Sequence, residues 1–127
     1  MEASIQKLAA LVFFVIGVSH VARPREWVEF FIAVRGRGAV GSFINAFVHF
    51  PLGVVIVAFH NVWTWPAAVL TVCGWGLVFK GFLYFVFTGY GERMLSRVTV
   101  ERAWQFRVAG VFALALSAFS LYLFTRG

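Results

Sequence analysis

Residues 65–87 read WPAAVLTVCGWGLVFKGFLYFVF, an apolar stretch that is interrupted by one charged residue, Lys80. A helix rises about 1.5 Å per residue, so about 20 residues cross the roughly 30 Å hydrocarbon core of a membrane. The stretch lacks the apolar–polar alternation of barrel strands. Three more stretches share this character, at 5–22, 41–59 and 103–124. The sequence therefore predicts an all-α polytopic membrane four-helix bundle, with residues 1–127 as one transmembrane domain.

The composition excludes an ordinary soluble domain. It is 61% hydrophobic and only 13% charged, whereas soluble domains keep roughly a quarter of their residues charged. The net charge of +6 comes from arginines in short connections that belong to no soluble module, so we expect no nucleic-acid partner. Cys73 is the single cysteine, which leaves no disulfide framework or metal-binding cysteine pair. The first residues lack a basic start and a cleavage pattern, so we expect no cleaved signal peptide.

The distribution of arginine predicts the orientation of the bundle. Basic connections stay on the cytoplasmic side of a membrane, and arginines follow the first and third stretches but are absent from the turn at 60–64. We therefore expect both basic loops to be cytoplasmic, with the N- and C-termini outside. The arginines expected to contact lipid headgroups are Arg23, Arg25, Arg35, Arg37, Arg93, Arg97 and Arg107.

The first connection is expected to contain a short helix at about 24–34. Pro24 suits a first helical turn, and Trp27, Val28 and Phe31 fall on one face of the helix that follows. Such an amphipathic helix is typical of a segment that lies along the cytoplasmic interface. The second and third spans are joined by a short turn and should form an antiparallel hairpin, with Pro66 in the first turn of the third span.

Lys80 needs an explanation because a charged residue inside lipid costs about 2.5–3.5 kcal/mol on insertion scales. No acidic residue lies within the predicted spans. The side chain could extend along Tyr84 to lipid headgroups. It could instead meet an anionic or polar ligand between the helices, or contact another protein. The sequence leaves these three alternatives open, and it leaves open whether the lysine is charged.

Helical periodicity predicts a polar cluster around this lysine. Asn45, His49 and His60 share one face of the second span, whereas Lys80 and Tyr84 share one face of the third. Polar residues in lipid face the bundle interior, so the two faces should meet. We predict a cluster of Asn45, His49, Lys80 and Tyr84, which serves either as an interhelical clamp or as a substrate or proton site.

Catalytic and cofactor sites have less support. A haem held between two histidines of one chain is not expected, since His20, His49 and His60 are predicted at different depths. A haem shared by two copies of His49 stays open. No close set of ligands indicates a metal, and no nucleophile and base are paired. We expect no cofactor, no metal and no catalytic residue.

The segments His60-Asn-Val-Trp, Gly74-Trp and Lys80-Gly-Phe-Leu-Tyr resemble patterns in small bacterial inner-membrane proteins, which implies that location without indicating a named family. The first hypothesis is a nonenzymatic protein that binds lipid or serves as an accessory or structural subunit. The alternative is a homo-oligomeric channel or transporter for a small anion or polar solute. The third is a dimeric haem or quinone protein. All three imply membrane lipid, further copies or a larger membrane complex as partners.

Overall fold

The structure is a computed structural model that describes residues 1–126, and this part of the chain is helical without strands. Four of its helices are long and apolar enough to cross a membrane. This confirms the predicted all-α protein with four candidate spans. In chain order the α-helices are α1 (Glu2–Ala22), α2 (Pro24–Arg35), α3 (Ala39–Phe59), α4 (Ala68–Val86), α5 (Thr88–Ser96) and α6 (Trp104–Arg126), and a short 3-10 helix at Val100–Arg102 precedes α6.

Some helices begin or end at other residues than the predicted apolar stretches, because backbone hydrogen bonds and not hydropathy set the ends of a helix. Helix α1 begins at Glu2 rather than at Ile5, because the N–H of Ile5 already donates to the carbonyl of Met1 at 3.0 Å. Pro66 lies in a turn that precedes α4 rather than in its first helical turn. The N–H of Val69 donates to the carbonyl of Pro66 at 3.2 Å, a bond between residues three apart that belongs to a turn.

The spans pack as two pairs, α1 against α6 and α3 against α4. The second pair is the hairpin that the short turn predicts. In the first pair, Gly17 and Gly110 meet at the crossing. A Cβ on Gly17 would lie 2.9 Å from the carbonyl oxygen of Gly110, so the two backbones approach more closely than side chains would allow.

An apolar core and a polar network fill the bundle near the turn at residues 60–67, which we call the turn end. The core residues, all from the spans, are Ile5, Ala9, Phe13, Ile56, Leu70 and Leu123. Beside them, His60 is fully buried and its Nε2 contacts the Gln6 amide at 3.2 Å. Its Nδ1 lies 3.2 Å from the hydroxyl of Thr71. This network ties α1, α3 and α4 together.

Both arginine-rich connections lie at the opposite end, which we call the arginine end. Helix α2 buries Val28, Phe31 and Val34 and packs against α5. Arg35 joins the two connections, since its Nη1 donates to the carbonyl of Val98 at 2.6 Å. Helix α5 was not predicted, because its short and glycine-rich sequence carries few apolar residues. The position of α2 at a membrane surface and the side on which the arginine end lies stay predictions.

Candidate functional site

A cleft of about 310 Å³ opens between the two helix pairs at the arginine end. Its lining includes Asn45, His49, Lys80 and Tyr84, the four residues that helical periodicity grouped. The structure therefore brings these side chains to one place. What they bind stays a prediction. His60 shares the predicted face of Asn45 and His49 but is not part of the predicted cluster, and it lies in the polar network at the turn end.

The α3–α4 hairpin supplies one wall of the cleft. Asn45 and His49 are four residues apart on α3, and Lys80 and Tyr84 are four apart on α4, so each pair projects from one helix face. The Ser42 hydroxyl donates to the backbone carbonyl of Tyr84 at 2.7 Å and fixes the two helices at this level. The Lys80 ammonium lies 5.9 Å from the centre of the Tyr84 ring, within the range of a cation–π contact.

Helices α1 and α6 supply the facing wall, and α1 contributes His20. The His20 ring stacks on Trp27 with centroids 4.3 Å apart, and the Trp27 indole N–H donates to the hydroxyl of Ser19 at 2.7 Å. The sequence placed His20 and His49 at different depths, yet both line this cleft. Lining one cleft does not place the two histidines at one depth, so their difference in depth stays a prediction.

The two cleft histidines present the same kind of nitrogen. His49 Nδ1 lies 2.9 Å from the Asn45 carbonyl oxygen, and His20 Nδ1 lies 2.8 Å from that of Ile16. A carbonyl only accepts hydrogen bonds, so Nδ1 carries the proton in each contact. The Nε2 atom of the neutral ring is then a hydrogen-bond acceptor. The cleft thus holds two imidazole acceptors from different helices.

The fixed charges of the cleft are all positive. Lys80, Arg97 and Arg102 line it, and none of the described residues in its lining is an Asp or Glu. Within residues 1–126 the ion pairs are Arg23 with Glu26 at 3.7 Å and Arg25 with Glu29 at 3.8 Å, both on α2 and its start. The three cleft cations are therefore not neutralised by carboxylates, and they create a field that attracts anions.

One buried acceptor in the cleft has no partner among residues 1–126. Asn45 is only 3% exposed, and its Oδ1 makes no hydrogen bond. A buried polar atom without a partner costs about 1–3 kcal/mol, so a donor such as water or a ligand hydroxyl would stabilise it. The hydroxyl of Ser120 on α6 is also unpartnered, but Ser120 does not line the cleft.

The arginines assigned to lipid contact occupy different surroundings. Arg97 lines the cleft, whereas Arg35 is held by the carbonyls of Ser96 and Val98. Arg23 and Arg25 form the exposed ion pairs already described. Arg107 lies with Arg25 at a separate surface depression beside Trp104. Arg37 and Arg93 are exposed. Headgroup contact stays a prediction for these residues.

Sequence reasoning missed the part of the cleft that comes from the second connection and α6. Arg102 is one of the arginines whose distribution predicts the orientation, whereas Gln105 and Phe106 carry no prediction, and all three line the cleft. The available signal was weak. Gln105 is a polar residue in the first turn of the last span, but without knowledge that α6 pairs with α1 it could not be assigned to this site.

The expectation that the chain binds no metal or haem stays a prediction. Both ring nitrogens of His60 are engaged by Gln6 and Thr71. Among residues 1–126 no three His, Cys, Asp or Glu side chains are grouped as metal ligands would be. Searches against protein-family models, curated proteins and solved structures found no match for this chain. The functional argument therefore rests on the cations and acceptors of the cleft.

Proposed function

We propose that this chain is a nonenzymatic membrane protein that binds the anionic headgroup of a membrane lipid in the cleft at the arginine end. The observation that carries the proposal is the set of three cations, Lys80, Arg97 and Arg102, in a lining without carboxylates among the described residues. Guanidinium and ammonium groups are the common partners of phosphate in proteins. A phosphate would offset the charge of the site and explain why a lysine sits within a candidate span.

A lipid fits the cleft better than a small soluble anion because the lining is mixed. Phe31, Leu95 and Phe106 share it with the cations. Apolar side chains contribute little to an inorganic anion, but they contact the glycerol and first acyl carbons of a lipid favourably. Under the predicted topology, the arginine end also lies at the level of the cytoplasmic headgroups.

A channel or transporter for a small anion is the second candidate, and the same cations favour it. The turn end opposes it, because Ile56, Leu70 and His60 are fully buried there and close the bundle beyond the cleft. A path through one chain would have to cross this packed region. Transport would therefore need further copies of the chain, whereas binding needs one.

The test compares Lys80→Met with Lys7→Met in purified protein that is equilibrated with equal amounts of an anionic and a zwitterionic phospholipid. Retained lipid is measured by native mass spectrometry. Wild type should retain the anionic lipid preferentially, and Lys80→Met should reduce this preference about tenfold, the effect of losing one charge-assisted contact. Lys7 is exposed near the start of α1, away from the cleft, so its replacement should change little.

Equal retention by wild type and Lys80→Met would show that the cleft does not bind the headgroup. Anion flux into liposomes tests the second candidate. Transport would be favoured if liposomes with wild-type protein take up the anion and liposomes with Lys80→Met do not. We expect no such flux above that of empty liposomes.

A further inference from the structure

The cleft offers hydrogen-bond acceptors as well as cations. An anion without donor groups cannot form hydrogen bonds with these acceptors. Asn45 Oδ1 is buried and unpartnered, and the α3 backbone around it is engaged in its own helix. The Nε2 atoms of His20 and His49 add two further acceptors, since Nδ1 carries the proton in both rings. A phosphodiester has acceptor oxygens only and leaves all three unsatisfied.

The donor that completes the site must be uncharged. An ammonium headgroup carries donors, but its positive charge would meet Lys80, Arg97 and Arg102 in the same cleft. A hydroxyl group donates without charge, and it can donate to Asn45 Oδ1 or to the lone pair of an imidazole nitrogen. A ligand that matches the cleft therefore carries a phosphate, which neutralises the cations, and hydroxyl groups, which donate to the acceptors.

We infer that the cleft binds a phosphodiester that carries neighbouring hydroxyl groups, as in the headgroup of phosphatidylglycerol, with the phosphate at the three cations and a hydroxyl on Asn45 Oδ1. This inference rests on the proposed function and specifies its ligand. The same chemistry occurs in a lipid headgroup and in a free glycerol phosphodiester. The apolar part of the lining assigns it to the lipid.

The experiment offers the wild-type protein equal amounts of phosphatidylglycerol and phosphatidylpropanol in mixed micelles of detergent and phosphatidylcholine. The two anionic lipids share charge and chain composition and differ in the headgroup hydroxyls. Native mass spectrometry should show about a tenfold preference for phosphatidylglycerol, as expected for one or two additional hydrogen bonds to buried acceptors.

The Asn45→Leu variant tests whether Asn45 Oδ1 is the acceptor that causes the preference for phosphatidylglycerol. The ratio of the two anionic lipids should fall to about one, because a leucine side chain cannot accept a hydrogen bond. Circular dichroism of this variant should match that of wild type, which shows that its helices are still folded. An Asn45→Leu protein that keeps the full preference for phosphatidylglycerol overturns the role of Asn45.

The remaining outcomes separate this inference from the proposed function. Equal retention of both anionic lipids by wild type overturns the hydroxyl requirement and leaves anionic-lipid binding intact. Retention of neither above phosphatidylcholine overturns both. In a further arm, soluble glycerophosphoglycerol is added as a competitor. If it displaces phosphatidylglycerol at equal concentration, the occupant is a free phosphodiester and the assignment to a lipid is wrong.

Discussion

Replacing Gly53 with leucine is expected to prevent α3 and α4 from packing as a hairpin, lowering the free energy of unfolding by more than about 3 kcal/mol. A Cβ at Gly53 would lie 2.7 Å from the backbone nitrogen of Val78 and 2.9 Å from the carbonyl oxygen of Gly74. Backbone atoms cannot turn away as a side chain can. The two helices would have to separate, and the contacts along the whole hairpin would weaken.

Gly76→Leu is the matched control on the neighbouring helix. No atom lies within 4 Å of a Cβ at Gly76, and the residue is exposed. Both variants make the same chemical change inside a helix and gain the same roughly 1 kcal/mol of helix propensity. Unfolding in mixed micelles with increasing dodecyl sulfate, followed by circular dichroism, compares them. If Gly53→Leu unfolds at the same dodecyl sulfate fraction as Gly76→Leu, the close α3–α4 crossing is wrong.

The four spans could be predicted from the sequence because length and hydropathy are local properties. Each span needs only about 20 consecutive apolar residues, and lipid forces them into helices. The pairing of α3 with α4 also followed locally, from the short turn between them. The pairing of α1 with α6 did not, since it depends on Gly17 meeting Gly110 at the far end of the chain.

The candidate site could likewise be predicted only where the relation between its residues is local in the sequence. Asn45 and His49 could be grouped with Lys80 and Tyr84 because residues four apart share a helix face and the two helices are adjacent. His60 shares the predicted helix face of Asn45 and His49, but it lies outside the predicted cluster, at the other end of the span. A projection down the helix axis keeps the angle of a residue and discards its height, and eleven residues of helix separate His60 from His49 by about 16 Å. That distance places His60 in the network at the turn end.

Replacing Thr71 with valine is expected to lower the free energy of unfolding by about 2–4 kcal/mol, although valine has nearly the same shape. The Thr71 hydroxyl oxygen accepts from the backbone N–H of Val62 at 3.0 Å and lies 3.2 Å from Nδ1 of the fully buried His60. It also contacts the carbonyl oxygens of His60 at 3.0 Å and Val62 at 2.8 Å. Valine would leave these groups unpartnered in a region that water cannot readily enter.

Thr125→Val is the control, since Thr125 is exposed and its hydroxyl donates only to the Tyr122 carbonyl of its own helix at 3.0 Å. It should change the free energy of unfolding by less than about 0.5 kcal/mol. Because Thr71 lies at the turn end, folded Thr71→Val protein should retain anionic lipid as wild type does. A variant that keeps its stability would show that the network does not hold the bundle. A variant that stays folded but loses lipid would show that the two ends are coupled, so that the cleft at the arginine end depends on the packing of the turn end.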